Sequence, residues 1–386
     1  MSTYLISDEE RFIQETAQRF ASEKLRPGYQ VRDDSKVIDR DLLKGMGELG
    51  LLTPNISEEY GGIAASSVIC GLIAEQIAYG DFNMSYLNMT NALIAQVIER
   101  NASENMKQEI LPQMASGDII VALGLTEPRG GSDAANLTVS AKKDGSDYII
   151  SGEKASISYS EQAEYILMFA RTGEPEAKAH GVTCFLVPLD LPGVSRTSYE
   201  DIGTRPVGRG SVFFDNVRIP ESCRLGEENT GFTKIMVGFD LSRILIALQC
   251  IGAAQASIDE TWQYTLERKA FGLQLVKYQG VNFQLAEFES QNESYRTLAY
   301  HALKLRDEGV EHTKEAAMVK WMAPKYCTDI IHGCLLLHGH FGYSKDFPHQ
   351  QRMRDVMGLQ IGDGTANIMK MIIARETIGS VSVQYK

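Results

Sequence analysis

The sequence predicts an α+β protein of several domains, with helices at both ends of the chain and strands in the middle. Its 386 residues exceed the usual size of a single hydrophobic core. Apolar residues recur at helical spacing up to about residue 116 and again from 229, and short β-type runs fill the stretch between. We therefore predict an N-terminal helical domain over 1–116, a middle β domain over 117–228 and a C-terminal helical domain over 229–386.

The first helix has a start signal. Ser7 and Glu10 have the S-x-x-E spacing of a capping box, and an apolar stripe follows them. Pro27 and Gly28 are expected to end this helix. Three further helices are predicted in this region, at about 42–49, 65–80 and 88–114.

Short apolar runs predict the strands of the middle domain. They lie at 119–123, 137–141, 148–150, 165–171, 182–188 and 211–214. The polar stretch 143–147 predicts a hairpin turn. Because no helices separate these strands, they favour an antiparallel barrel or sandwich. No G-x-G-x-x-G follows a strand, so that dinucleotide-binding fingerprint is absent from the sequence.

The helical pattern returns in the last third of the chain. Four long helices are predicted there, at 229–268, 281–308, 313–337 and 364–380. Pro324 lies inside the third of them, where a proline removes a backbone hydrogen bond and is expected to kink the helix.

Composition narrows the class of partner. A net charge of −12 argues against nucleic acid. No apolar run approaches the ~20 residues that cross a bilayer and no signal peptide is evident, so we expect no membrane span and a cytoplasmic location. The six cysteines form no C-x-x-C pair. His338 and His340 have no further ligands at matching spacing, so no metal site is predicted.

An acid between two glycines precedes the last helix, in the run Ile-Gly-Asp-Gly-Thr-Ala-Asn-Ile at 361–368. Glycines on both sides of Asp363 allow backbone or ligand to come close. Thr365 or Asn367 could cap the helix, whose N-terminus suits an anionic or polar ligand. Taken alone, the segment is compatible with a capped loop carrying a solvated acid or with a functional site.

Three other segments could bind a ligand. The glycine-rich loop 126–133 could present backbone N–H groups to a cofactor or form a simple turn. Residues 268–272, followed by Gln279, offer a cation and an aromatic ring at a helix end, which is also common on protein surfaces. The third segment is 338–343, with basic residues following at 352–354.

In this order and spacing, the motifs of the chain resemble those of the acyl-CoA dehydrogenase family of flavoproteins. Seven segments are similar to motifs of the family: 54–62 (P-x-x-x-G-G), 126–133 (T-E-P-x-x-G-S-D), 152–154 (G-x-K), 240–243 (D-x-x-R), 268–279 (R-x-x-F-G…Q), 339–343 (near G-G-x-G-Y) and 362–365 (at the position of E-G-T). The family has a helical N-terminal domain, a middle β domain and a C-terminal four-helix bundle. The resemblance therefore implies this fold, bound FAD and a homotetramer.

The resemblance also implies roles for individual residues. Those implied to face the flavin from the β domain are Thr126, Ser132 and Ser158. Those implied to reach the FAD of a neighbouring subunit are Arg268, Phe271 and Gln279. Gly339, Thr365 and Asn367 would complete the cofactor site. The implied substrate contacts are Ser132, Asp240, Arg243, Gly362 and Gly364, with Asp240 and Arg243 along the CoA moiety.

The implied reaction is α,β-dehydrogenation of an acyl-CoA thioester. A base removes the α proton while a hydride leaves the β carbon for flavin N5, and an electron-transfer flavoprotein accepts the electrons. Hydrogen bonds to the thioester oxygen stabilise the developing enolate. In this family they come from a flavin ribityl hydroxyl and the backbone N–H of the base residue.

The base is where this chain departs most from the family. Most members carry glutamate at the position of Asp363, and aspartate reaches about 1.5 Å less far. The family's alternative base position is Ser242 here, and serine is not a suitable base. We hypothesise that Asp363 is the base; the alternative is an inert aspartate.

The shorter acid and its neighbour bear on the substrate. Gly362 stands where enzymes for straight chains often carry a bulky residue, so it leaves room beside the α carbon. Both features favour an α-branched or alicyclic acyl group, such as a cyclohexanecarboxyl thioester. Alternatives are a biosynthetic enzyme for a carrier-protein thioester and a degenerate member that binds acyl-CoA without catalysis.

Three further departures surround the implied cofactor site. Ser156 replaces an aromatic residue, Leu336 a glutamine and His340 a glycine of the family pattern. Because the other implied FAD residues are kept, FAD is still expected to bind.

Overall fold

The protein consists of helices at both ends of the chain and one large β-sheet between them, which confirms the predicted fold class. A computed structural model describes residues 6–232 and 239–382. The N-terminal helices are α1 (Asp8–Phe20), α2 (Tyr29–Ser35), α3 (Arg40–Glu48), α4 (Ser67–Gly80), α5 (Phe82–Asn101) and α6 (Glu104–Ser116). The capping box of α1 is confirmed, since Ser7 Oγ accepts from the Glu10 N–H at 3.2 Å and the Glu10 carboxylate accepts from the Ser7 N–H at 2.6 Å.

Two predicted helix boundaries in this region are wrong. Pro27 and Gly28 do not end the first helical stretch, because they form a 3₁₀ turn that leads into α2. A proline in the first turn of a helical segment gives up no needed hydrogen bond. The predicted helix at 88–114 is two helices. Its break comes just before Ser103, whose Oγ accepts from the Met106 N–H at 3.4 Å and starts α6.

The middle strands form a single eight-stranded sheet. They are β1 (Val121–Gly124), β2 (Ser140–Asp144), β3 (Asp147–Ile157), β4 (Tyr165–Arg171), β5 (Val182–Pro188), β6 (Val194–Ser198), β7 (Gly210–Pro220) and β8 (Arg224–Leu225). Their order is β6-β7-β3-β2-β4-β5-β8, with β1 beside β4. The pairs are antiparallel except β1 with β4 and a single contact of β2 with β4. The predicted hairpin turn is confirmed, since Asp144 pairs with Asp147.

The sheet curls on itself. Tyr148 on β3 and Phe185 on β5 are separated by two strands in the sheet order. Their ring centroids are nevertheless 5.0 Å apart in an edge-to-face contact. Flat neighbouring strands would keep these residues about 14 Å apart, so the two halves of the sheet face each other across a common core.

The C-terminal region begins with a long buried helix. Its elements are α7 (Phe239–Glu267), the short hairpin β9 (Lys269–Ala270) and β10 (Leu273–Gln274), and then α8 (Gln279–Asp307), α9 (Thr313–Leu337), α10 (His349–Gly358) and α11 (Ala366–Ile378). Part of the helix predicted at 229–268 lies outside the described residues. Among those described, α7 alone is long and apolar enough to span a membrane, and 94% of its apolar stretch is buried inside the protein.

The hydrophobic core joins these elements in three clusters. The first joins the N-terminal helices to the inner face of the curled sheet, where Ile166 and Met168 of β4 lie. The second surrounds α7 with residues of α4, α8 and α9. The third packs α5 and α6 on the other face of β4, with Leu167 and Phe169. The alternating side chains of β4 thus contact both layers, and Phe239 at the start of α7 belongs to the third cluster.

Candidate active site

The loop between α10 and α11 holds Asp363 in an uncommon backbone conformation. Its φ of +57° is left-handed, which side-chain-bearing residues seldom adopt. Gly364 follows with φ +91°, and a Cβ there would lie 2.8 Å from Met369 Cε. Thr365 caps α11, since its Oγ1 accepts from the Ile368 N–H at 3.3 Å. Of the two predicted caps, Thr365 rather than Asn367 fills the position.

Ser242 on α7 contacts the acid directly. Its Oγ donates to Asp363 Oδ2 at 2.7 Å and also lies 3.0 Å from the carbonyl oxygen of Phe239. Ser242 is 1% exposed. The two residues named as base positions therefore lie side by side, although 121 residues separate them in the chain.

Lys320 on α9 approaches the same loop from the protein interior. Its Nζ donates to the carbonyl oxygen of Gly362 at 2.6 Å and to that of Gly364. The side chain is 1% exposed. Burial lowers the pKa of Lys320 to about 8, while the nearby Asp363 opposes the shift. Sequence reasoning missed this residue, because a lysine within a helix is normally solvated.

Tyr86 of α5 brings the N-terminal helices to the site. Its hydroxyl lies 3.2 Å from Ser158 Oγ, just beyond the end of β3. Burial raises the pKa of Tyr86, and the charge of Asp363 raises it further. Sequence reasoning gave Tyr86 no role. The available signal was a phenol in a buried helix, since such a group needs a partner.

Asp240 and Arg243 lie on the first turns of α7. Arg243 Nη1 is 2.7 Å from Asp240 Oδ1, and Thr313 donates to Asp240 Oδ2 at 2.6 Å. Arg243 is 6% exposed, and its Nε has no partner among the described residues. This pair is therefore at the same end of α7 as Ser242 and Asp363.

A buried ion pair anchors the loop 126–133 on β3. Lys154 Nζ lies 2.8 Å from Glu127 Oε1, with both side chains almost fully buried. Burial lowers the pKa of Lys154 to about 8, while Glu127 opposes the shift. The backbone carbonyl oxygen of Thr126 accepts a 2.9 Å hydrogen bond from the Ala155 N–H. Thr126 is thus beside the end of β3 that carries Ser156 and Ser158, while Ser132 lies on the exposed outer part of the loop.

The remaining implied cofactor residues lie at the opposite end of α7. Arg268 follows that helix directly, and its 29 residues give it a length of about 40 Å. Phe271 is 98% exposed, and Gln279 begins α8 on the surface. His338 stacks on Tyr264 of α7 with centroids 4.2 Å apart, which brings the adjacent Gly339 to the same end. Within one chain, this group is far from Asp363.

The structure shows the surroundings of the three residues that depart from the family pattern. Ser156 has φ +56°, and its N–H lies 3.5 Å from the Tyr199 hydroxyl. Leu336 is 60% exposed. The ring of His340 packs on Phe341 with centroids 4.1 Å apart. Among the described residues, no three His, Cys, Asp or Glu side chains are arranged to hold a metal ion.

Comparison with known proteins identifies the family. Models of the acyl-CoA dehydrogenase N-terminal, middle and C-terminal domains match residues 7–118, 122–217 and 229–378. The mitochondrial short-chain specific acyl-CoA dehydrogenase of Bos taurus is 33% identical over 96% of this chain and 90% of its own length.

Two solved structures are similar over nearly the whole chain. Butyryl-CoA dehydrogenase from Megasphaera elsdenii has a TM-score of 0.92 and 28% identity, covering 97% of this chain and 99% of its own. A glutaryl-CoA dehydrogenase from Mycobacterium smegmatis in complex with FADH2 has a TM-score of 0.92 and 27% identity, covering 98% of this chain and 97% of its own. With all three domains matched in order, the chain belongs to the acyl-CoA dehydrogenase family of flavin-dependent oxidoreductases.

Proposed function

We propose that this protein is an FAD-dependent dehydrogenase that removes the α proton of an α-branched or alicyclic acyl-CoA with Asp363. The observation that carries the proposal is the arrangement around that acid. Ser242 holds Oδ2 of the carboxylate, and Oδ1 accepts no hydrogen bond from any described residue. One carboxylate oxygen is therefore held and the other is open to a substrate proton.

The backbone beside the acid supports the same role. The N–H of Asp363 donates to no acceptor within the described chain. It can therefore donate to the thioester oxygen, where negative charge develops as the α proton leaves. Base and oxyanion donor then belong to one residue, which fixes their relative position.

The residues on the β domain fit a flavin. Thr126 and Ser158 bring hydroxyl groups to one end of the sheet. A Cβ added at Gly130 would meet no atom within 4 Å, so the outer side of the loop is open. A bound flavin would supply the acceptor for the hydride that leaves the β carbon. The residues of the chain would hold the flavin at this end of the sheet and accept the α proton.

The exposed group at the far end of α7 supports assembly. Phe271 is 98% exposed, so its ring is free to contact a ligand or a neighbouring subunit. Because about 40 Å of helix separates it from Asp363, we infer a homotetramer in which Arg268, Phe271 and Gln279 serve the FAD of a neighbouring subunit, completed by Gly339, Thr365 and Asn367. An electron-transfer flavoprotein is the proposed acceptor, in the cytoplasm.

The acyl group is inferred from the space beside the base. A Cβ added at Gly362 would meet Leu359 Cδ2 at 3.8 Å and the Gly358 carbonyl at 3.9 Å, which are ordinary contacts. A Cβ would therefore be tolerated there, so packing does not demand a glycine, and the volume beside it is proposed to serve the substrate. Asp240 and Arg243 are proposed to lie along the CoA moiety, with Ser132 and Gly364 also near the substrate.

The test is anaerobic addition of a CoA-ester panel to the purified yellow protein. Cyclohexanecarboxyl-CoA or an α-branched ester is expected to bleach the flavin fastest, and Asp363→Asn to abolish bleaching. Full bleaching by the Asn variant would overturn the role of Asp363. Faster bleaching by the same acyl group on a carrier protein would favour the biosynthetic alternative. A colourless protein that still binds acyl-CoA would favour the non-catalytic one.

A further inference from the structure

Lys320 donates hydrogen bonds to the carbonyl oxygens of the two glycines that flank the proposed base. Its Nζ donates to Gly362 O at 2.6 Å and to Gly364 O. Among the described residues no carboxylate oxygen lies within 4 Å of it. A buried ammonium is costly unless it is paired or hydrogen-bonded. The Lys320 ammonium is compensated by backbone oxygens. Its position therefore depends on the conformation of the loop, and the conformation of the loop depends on the ammonium.

One of these bonds acts on a particular peptide unit. The carbonyl of Gly362 and the N–H of Asp363 belong to the same planar amide. Lys320 holds the oxygen of that amide, and its N–H has no acceptor within the described residues. A hydrogen bond from a cation to a carbonyl polarises the amide and makes its N–H a stronger donor.

The other bond restrains the chain after Asp363. Gly364 O belongs to the Gly364–Thr365 peptide and is held by the same ammonium, so the chain is fixed from the interior on both sides of Asp363. This restraint supports the left-handed φ of +57° at Asp363, a conformation that costs about 1 kcal/mol or more for a residue with a Cβ. The carboxylate and the backbone N–H of Asp363 thereby keep a fixed relative position.

We propose that Lys320 is a positioning residue that orients and polarises the Gly362–Asp363 amide toward the thioester oxygen. The proposal rests on the assignment of Asp363 as base. Lys320 touches no reacting atom. It acts through a backbone N–H, by stabilising the enolate oxygen as the α proton is removed.

The test compares Lys320→Met with Lys325→Met as a matched control. Methionine keeps an apolar stem in the buried site and removes the donors. Lys325 lies on the same helix but is exposed, with Asp329 3.3 Å away. The carbonyl stretch of a bound enoyl-CoA labelled with ¹³C at the thioester is measured by infrared difference spectroscopy. Flavin bleaching is followed by stopped flow, with and without α-deuterium.

Lys320→Met is expected to move the bound carbonyl stretch to higher frequency and to slow bleaching by about 10- to 100-fold, since loss of an oxyanion donor costs up to 10³. The α-deuterium isotope effect should increase while the Kd of the enoyl-CoA changes less than about threefold. Lys325→Met should match wild type in each measurement. An unchanged carbonyl frequency with bleaching within twofold of wild type would overturn the proposal.

Two further results keep the test decisive. If Lys320→Met does not fold, Lys320→Gln replaces it, because the shorter neutral amide cannot reach both carbonyls and should show the same changes. If wild type bound enoyl-CoA but no ester bleached it, the dehydrogenase assignment would fail. The carbonyl frequency would still report whether Lys320 polarises the amide.

Discussion

Ser242 Oγ donates a 2.7 Å hydrogen bond to Oδ2 of Asp363 and lies 3.0 Å from the carbonyl oxygen of Phe239. A hydroxyl has one hydrogen and two lone pairs. It can donate to Oδ2 of the ionised acid, and it can still donate to Oδ2 when Oδ1 carries the substrate proton. In the proposed role of Asp363 as base, Ser242 therefore keeps its hydrogen bond to the acid before and after proton transfer.

The first prediction concerns this bond. Ser242→Ala should slow anaerobic flavin bleaching by about 10-fold, because a hydrogen bond to a charged group contributes about 1.5 kcal/mol. The α-deuterium isotope effect should increase, and FAD content should stay at the wild-type level. Ser290→Ala, which removes an exposed hydroxyl bonded only to its own helix, is the control. Equal bleaching by the two variants would show that Ser242 does not orient the acid.

The second prediction concerns the pair that anchors the 126–133 loop. Lys154→Met leaves the buried Glu127 carboxylate without its cation and should lower the free energy of unfolding by about 3 kcal/mol. FAD should also be lost more readily, since the loop carries Thr126 and Ser132. Denaturant unfolding and FAD content measure both effects.

The matched variants make this loop test specific. Lys142→Met changes an exposed lysine on β2 and should leave both quantities near wild type. The double variant Lys154→Met, Glu127→Gln should recover part of the stability, because no charge is then left buried. If the double variant were no more stable than the single one, the ion pair would not be the anchor.

The third prediction is a loss of stability in acid that depends on His349. Burial, together with the charges of Arg352 and His338, lowers the pKa of His349 to about 3. The unfolded histidine binds a proton below about pH 6.5, whereas the folded one stays neutral. The stability present above pH 6.5 is therefore lost as the pH falls toward 3.

The measurement is unfolding at pH 7, 6 and 5 at constant ionic strength. His349→Asn should lose about 2 kcal/mol less than wild type between pH 7 and pH 5. His332→Asn, at an exposed position of α9, should follow the wild-type curve. Parallel curves for wild type and His349→Asn would remove His349 as the source of the acid sensitivity.

The fourth prediction separates assembly from folding. Phe271 is 98% exposed, so Phe271→Ser should leave the folding of the single chain unchanged. It should reduce retained FAD and the fraction of tetramer, measured by absorbance and by mass after gel filtration. Phe12→Ser alters an aromatic ring that is 69% exposed on α1 and should affect neither quantity. Full FAD retention in a tetramer of Phe271→Ser would contradict the proposed contact between subunits.

Local patterns determined which parts of this molecule were predictable. Strands β4 and β5 match the predicted 165–171 and 182–188, because both are apolar runs bounded by turn residues. Strand β6 was missed since it is a mostly polar edge strand. Asp363 stood out through its flanking glycines. The contacts of Ser242 and Lys320 with the loop of Asp363 could not be predicted, because tertiary packing creates them. Ser242 is 121 residues from Asp363 in the chain, and Lys320 is 42 and 44 residues from the two glycines that it contacts.

The last prediction tests the acyl group. Gly362 does not have a positive φ, and a Cβ there would make only ordinary contacts, so Gly362→Tyr should fold and bind FAD like wild type. The added ring would occupy the space proposed for a wide acyl group. Bleaching by cyclohexanecarboxyl-CoA should fall at least about 10-fold relative to butyryl-CoA, a discrimination of about 1.4 kcal/mol that loss of fit in an apolar pocket supplies. Gly358→Tyr, at an open glycine ending α10, is the control. An unchanged ratio for Gly362→Tyr would mean that the glycine does not select a branched or alicyclic substrate, even if Asp363 remained the base.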